Sequence, residues 1–456
     1  MAESDKKFLF EKDRVSHALM VMALPAIASQ LITLIYNLAD TWFVGRTNNP
    51  YMVAACSLVL PVFMFTIVVS NVFGVGGGTL IARLIGAGED EEASGVSEIC
   101  MWMAIIAGMF FSILCFFVMT PLLTLLGASD RIIEYARQYM FFVVVLGGVP
   151  VVFNNTASSM LRSIGLSSKA SFGLSMGGVL NIVLDPIFMF MILPDGKQVM
   201  GAAIATMLSN IVASIYFLIT YLKACNNTIL RFRPTGKYPS AKSFSSIFDV
   251  GIPAAVGLLL FDLCNIVINR LSASYGDIEL AAIGIVLKAE RLPLNIGIGI
   301  CLGMVPLIAY SYSSGDIERM DEIFRFARVL GLLIGITSVL MYYILAPLIM
   351  QTFIHDPETV HFGTLFLRAR CIATPLMFLC FSMFHFTQAI GRGKESFFLA
   401  VVRQMFFNIP ILFLFNALLG VMGIVWTQAV ADFFVVIVSY ILYGRIRKQE
   451  GWKRAL

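Results

Sequence analysis

Long stretches without one charged residue recur along the whole chain, and they constrain its fold more than any other feature. They run Thr47 to Ala82, Ile99 to Ser129, Gln138 to Leu161, Gln198 to Leu222, Leu292 to Gly315, Val329 to Ile354, Cys371 to Gly391 and Gln404 to Ala431. Four further apolar stretches carry embedded ionisable residues: Val15 to Val44, Ser171 to Leu193, Phe244 to Ser274 and Asp432 to Tyr443. A helix needs about 20 residues to cross a hydrocarbon core about 30 Å thick. The pattern therefore predicts an all-α polytopic membrane protein with twelve transmembrane helices. A β-barrel is excluded, because the runs are too long and do not alternate.

Composition agrees. Charged residues are 13% of the chain, about half the roughly 25% usual for soluble domains. The net charge of +4 is a topology signal, not a nucleic-acid footprint, since the basic residues cluster between apolar runs. With both termini in the cytoplasm, the tails and the loops after helices 2, 4, 6, 8 and 10 hold Lys6, Lys7, Arg83, Lys169, Lys223, Arg231, Arg233, Lys237, Arg319, Arg392, Lys394 and the tail Arg445 to Arg454. The other side holds Arg46, Arg131, Arg137, Lys197, Arg368 and Arg370. That imbalance predicts a multi-pass protein of the cell membrane with both termini inside. The charged segment Met1 to Arg14 has no apolar core or cleavage site, so no signal peptide is expected.

The chain also repeats itself. Leu24-Pro25-Ala26 matches Ile252-Pro253-Ala254, and Leu80-Ile81-Ala82 matches Leu307-Ile308-Ala309. Ile164-Gly165 followed by Lys169-Ala170-Ser171-Phe172 echoes Ile390-Gly391 followed by Lys394-Glu395-Ser396-Phe397. The offsets stay between 225 and 228. Two pseudo-symmetric six-helix bundles are expected, residues 1–222 and 244–456, joined by a basic cytoplasmic linker, residues 223–243. Parallel repeats of this kind can rock about a midplane cavity and expose it alternately.

Ionisable residues inside such helices are costly and therefore candidates for function. Asp40 lies 15 residues after Pro25, about 22 Å along helix 1, with Tyr36 and Asn37 on its face. Asp185 follows Asn181 by one helical turn and precedes Pro186. A buried carboxylate can take up a proton, or bind Na⁺ with neighbouring oxygens. Either makes an ion-coupling site; the alternative is that both acids only hydrogen-bond adjacent helices. In the second half Asp262, Lys288, Glu290 and Arg291 form a candidate charge network, for which structural pairing and transport chemistry are equally open.

Other features exclude functions. Gly74 to Gly78 and Gly297 to Gly299 sit in apolar helices with no preceding strand, and no phosphate-binding G-x-x-x-x-G-K-[ST] loop occurs. The eight cysteines show no regular spacing, so no zinc or disulfide framework is expected. The four histidines are too scattered for a metal site, and no hydrolase constellation appears, so the chain is not expected to be an enzyme.

With duplication and deep acids in hand, the sequence resembles the multidrug and toxic compound extrusion (MATE) family over nearly its whole length. The carrying segments are Leu24-Pro25-Ala26 through Asn37-Leu38-Ala39-Asp40-Thr41, Gly76-Gly77-Gly78-Thr79 with Gly86-Ala87-Gly88, Leu161-Arg162-Ser163-Ile164-Gly165, Asn181-Ile182-Val183-Leu184-Asp185-Pro186 and Gly201-Ala202-Ala203-Ile204-Ala205-Thr206. The resemblance implies a secondary active efflux antiporter that exports organic, often cationic, drugs in exchange for H⁺ or Na⁺. It implies an ion-coupling cluster of Tyr36, Asn37, Asp40, Asn181, Asp185 and Thr206, with Pro25 as the point where helix 1 bends. Na⁺ would sit at Asp40, Asn181 and Asp185; no other metal or cofactor is implied. Small-molecule drugs and membrane lipid are the expected partners, nucleic acid is not, and a monomer is expected. Helix 10 here has no acid, unlike another branch of the family. The main alternative is a lipid-linked precursor flippase of the same superfamily, which Lys288 and Arg291 keep open.

Overall fold

The computed structural model describes residues 8–47, 49–194, 196–234 and 238–452. Lys6, Lys7, Lys237 and Arg454 of the basic segments, and the middle of the linker, lie outside the described residues. Among the described residues eleven helices are long and apolar enough to span a bilayer, and one bent pair makes a twelfth. They are α1 (Val15–Gly45), α2 (Pro50–Ala87), α3 (Asp90–Leu125), α4 (Ile133–Leu146 with Gly148–Ser163, inclined by 42°), α5 (Ser167–Ile192), α6 (Gln198–Asn227), α7 (Ala241–Ser272), α8 (Asp277–Ser313), α9 (Ile317–Phe353), α10 (Pro357–Ala389), α11 (Gly393–Leu419) and α12 (Val421–Gln449).

Local chemistry sets the ends. The Asn49 side chain accepts the Tyr51 N–H ahead of Pro50 at the first position of α2, and Asp316 accepts the Arg319 N–H at the start of α9; both satisfy otherwise orphaned donors. Gly165 (φ 82°) and Gly391 (φ 80°) follow α4 and α10 in the left-handed conformation that glycine adopts without penalty. The duplication pairs these two glycines with each other.

Two boundaries differ from those expected. Gln404 to Ala431 is not one span: α11 ends at Leu419 and α12 begins at Val421, with Gly420 between them at φ 61°. Arg403 and Asp432, which bound that charge-free run, both lie inside helices and pair with each other. Arg370, expected in an external loop, lies within α10, 6% exposed, and its Nε donates to Glu290 Oε2 at 2.7 Å. A charge neutralised across a helix interface does not end a helix, so scanning for charge misplaces such ends.

The termini and the basic loops share one face. Arg319 Nε donates to the Phe10 carbonyl at 2.7 Å and Nη1 to the Asp13 carbonyl at 2.8 Å. Arg392, after α10, pairs with Glu450 near the C-terminus. On this face two hydrophobic clusters bridge the halves: one joins Met22 of α1 to Met304, Phe324 and Phe386 of α8, α9 and α10, the other joins Phe73 and Met160 to Ile247 of α7. On the opposite face each half keeps its own cluster, around Met119 and Met189 in the first and around Tyr342 and Phe366 in the second. The halves are therefore joined at the terminal face and separate at the other.

Glycines make that junction close. A Cβ at Gly303 of α8 would lie 2.6 Å from the Ala23 nitrogen, and one at Gly299 would lie 2.6 Å from Ile27 Cα, both on α1. Between α2 and α7, Gly76 and Gly251 meet the opposite backbone in the same way. Gly303→Val is therefore expected to wedge α1 from α8 and open the terminal face. In a background with the eight cysteines replaced, a Ser159→Cys reporter in the cavity should react with maleimide from that face several-fold faster. Unchanged reactivity would show that the glycine contact does not hold the seal.

Candidate functional site

Between the halves lies a cavity of about 460 Å³. Helices α1, α2, α4, α5 and α6 line it on one side and α7, α8, α10, α11 and α12 on the other; α3 and α9 do not reach it. Its wall is mixed, with Phe63, Phe261, Phe381 and Phe384 beside Asn71, Asn154, Asn210 and Gln404. An apolar wall carrying a few convergent polar groups is the usual form of a small-molecule site.

Tyr36, Asn181 and Thr206 line the cavity, with Asp185 packed behind them and no exposure to solvent. Asn181 Nδ2 donates to Asp185 Oδ1 and to Thr206 Oγ1, each at 3.2 Å. Helical spacing alone puts Asn181 beside Asp185; the packing of α5 on α6 adds Thr206. Tyr36 lies against Gly178 of α5, where a Cβ would come within 3.0 Å of its ring. Asp40 is close enough for its charge to act on Tyr36 and Asp185. Asn37 is exposed and does not line the cavity; its carbonyl accepts the Thr41 hydroxyl at 2.9 Å. Pro25 lies inside α1, which continues unbroken across it.

Three oxygens in this cluster are shielded and lack any hydrogen-bond partner: Asp40 Oδ1, Asn181 Oδ1 and Asp185 Oδ2. Unpaired acceptors in an apolar interior are costly. Two carboxylates together in such a place call for a cation, and hard oxygen donors suit either a proton or Na⁺. Among the described residues no group of three His, Cys, Asp or Glu could hold a metal ion, so any Na⁺ would rely on amide and hydroxyl oxygens as well. Tyr139 of α4 and Cys56 of α2 also feel the Asp40 charge. They sit in uncharged runs, so no sequence signal marks them.

The second half repeats the place with different chemistry. The duplication carries Asn181 to Asn408, and the match of Val199-Met200-Gly201 with Val421-Met422-Gly423 carries Thr206 to Gln428; Asn408 Nδ2 donates to Gln428 Oε1 at 3.3 Å as Asn181 does to Thr206. Here Arg403 fills the position of a cation: its Nε donates to Asp432 Oδ1 at 2.8 Å and its Nη2 to Oδ2 at 3.2 Å. Gln428 Nε2 donates to Asp432 Oδ2 at 2.7 Å and Asn408 Nδ2 to Gln404 Oε1 at 3.0 Å.

The four second-half residues marked as a charge network do not act as one. Glu290 takes Arg370 as its partner, Lys288 is exposed and off the cavity wall, and only Asp262 and Arg291 line it. His385 lines the cavity too, its Nδ1 2.8 Å from the Phe381 carbonyl.

Comparison with known proteins agrees with this geometry. A MatE family model matches twice, at residues 25–187 and 253–414. The chain is 29% identical over 448 residues to the multidrug export protein MepA of Staphylococcus haemolyticus, covering 97% of both chains. Among solved structures it matches an outward-facing multidrug resistance MATE family transporter of the MOP superfamily, with a TM-score of 0.91, 25% identity and full coverage of both chains. A MATE in the straight conformation matches with the same TM-score and identity over 98% of each chain.

Proposed function

The chain belongs to the MatE family, a family of membrane transporters rather than enzymes, and from that premise we propose that it exports organic compounds through the central cavity in exchange for H⁺ or Na⁺. The observation that carries the reading is the asymmetry between the halves. The first holds two carboxylates with shielded, unpartnered oxygens; the second holds the buried carboxylate of Asp432 on an arginine of the same chain. A fixed counter-ion cannot be exchanged, so the coupling ion belongs to the first half, at Asp40 and Asp185 with Asn181 and Thr206.

Alternating access follows from the same architecture. The halves are joined at the face bearing the termini, which we place in the cytoplasm on the distribution of Lys and Arg; the cavity then faces outward. Ion binding at Asp40 and Asp185 changes the charge beside α1, and bending near Pro25, where a backbone hydrogen bond is missing, would alter the wall next to Tyr36. Of the two residues that kept the flippase alternative open, Arg291 lines the cavity and Lys288 does not.

The test uses purified protein in liposomes loaded with ethidium or with a fluorescent organic carboxylate, under an imposed H⁺ gradient and then an imposed Na⁺ gradient. Movement of either compound that follows one gradient would support the reading and name the ion. No movement of either compound under either gradient would overturn it.

A further inference from the structure

Three arginines and one aspartate line the cavity: Arg162, Arg291, Arg403 and Asp262. Arg403 is bound to Asp432, and Arg291 is exposed. Arg162 differs from both. It is 6% exposed, its Nε and Nη2 are shielded with no hydrogen-bond partner, and no ion pair involves it among the described residues. An unpaired guanidinium in an apolar interior is among the costliest groups a fold can hold.

Arg162 lies in the last helical turns of α4, at the end of the cavity where the halves are joined. Ser158 and Ser159, about one turn earlier, reach the cavity with it. The duplication places Gln388 at the equivalent point of α10, and its neutral amide donates to Ser396 Oγ at 3.3 Å. At the equivalent position the second half therefore contributes a neutral amide to the cavity wall, and elsewhere on it aromatic rings.

We propose that Arg162 is an anion subsite, and that the compounds exported include aromatic amphiphiles bearing a carboxylate, sulfonate or phosphate. This rests on the export reading above and names a substrate class for it. The guanidinium fork takes such groups bidentately, the Ser158 hydroxyl lies on the same stretch of wall, and Phe261, Phe381 and Phe384 receive the ring. Asp262 leaves room for a cationic group on the same molecule, so zwitterions fit as well.

Three probes with one ring system test the subsite in detergent-solubilised full-length protein: dansyl-aminobutyrate, dansyl-aminobutanol and dansyl-cadaverine, which carry a carboxylate, a hydroxyl and an ammonium. Fluorescence anisotropy reads their affinities without any gradient. The carboxylate is expected to bind about 10- to 100-fold tighter than the alcohol. Arg162→Gln should remove that advantage while leaving the alcohol within about twofold, which also shows that the cavity is intact. Arg162→Lys, which keeps the charge and loses the fork, should restore part of it.

A carboxylate that binds no tighter than the alcohol, or whose advantage survives Arg162→Gln, would overturn the proposal. So would displacement of the alcohol by phosphatidylglycerol that depends on Arg162 while the carboxylate probe gains nothing, since the anion would then belong to a lipid headgroup. Carboxylate selectivity without gradient-driven movement of any compound would refute the antiporter and leave the subsite standing.

Discussion

Asp185→Asn is expected to cut gradient-driven export about 100-fold or more, and Asp40→Asn to do the same. Asparagine matches aspartate in shape and lacks its charge, so the fold should survive. Asp185 already takes part in a local hydrogen bond through Oδ1, which an amide oxygen can maintain. What an amide cannot do is take up a proton or offer Na⁺ a charged ligand. Losing a charge-assisted interaction of about 3 kcal/mol corresponds to a factor of about 100. The measurement is the initial rate of export from liposomes under whichever gradient drives the unmodified protein, alongside dansyl-aminobutanol binding as a check on the cavity. Full rates in both variants would make the cluster a packing feature and remove the proposed coupling site. Thr206→Val should have a smaller effect, because it removes one oxygen neighbour of Asn181 and no charge.

Much of this site is visible in the sequence because the bilayer makes its residues expensive. Asn181 and Asp185 sit one turn apart on a helix that otherwise carries no charge at depth, and the structure keeps them in contact. Thr206 enters the sequence reading only through resemblance, since nothing in a one-dimensional pattern says that α6 packs its hydroxyl against α5. Tyr139 is less visible still: it lies in an uncharged run beside many other aromatic residues. The reverse error is equally physical. Arg370, Arg403 and Asp432 mark the ends of charge-free runs, and a charge in a membrane protein usually means a loop. Each is instead inside a helix, because a partner from another helix neutralises it, Glu290 for Arg370 and the two others for each other. Pairing across helices is a tertiary fact, so the run lengths could not show it. The same cause blurs the division between α11 and α12, which depends on Gly420 and not on either charge. Lys288 and Glu290 stand two residues apart, yet one is exposed and the other reaches Arg370, because neighbours at that spacing point to different sides of a helix.

Arg403→Met is expected to destabilise the protein by about 3–5 kcal/mol, the usual consequence of leaving one member of a buried ion pair alone. Asp432 has no exposure to solvent and Arg403 is 7% exposed. Their contact is bidentate, and the Arg403 guanidinium also stacks over Phe381, 4.7 Å from the ring centre. With Arg403 removed, Asp432 would retain only the donor from Gln428. Pairing Arg403→Met with Asp432→Leu should recover most of the loss, since replacing a whole buried pair with apolar groups is often close to neutral. Thermal unfolding in detergent, followed by the loss of the monodisperse species, reads all three proteins. The comparison also bears on coupling. If Arg403 is the fixed counter-ion of the second half, Arg403→Met alone should make stability depend on pH or Na⁺, because a proton or cation then becomes the only remedy for Asp432. That dependence should vanish in the double variant. A single variant as stable as the unmodified protein, with no response to either ion, would mean that Arg403 does not hold the place that the mobile ion is proposed to take in the first half.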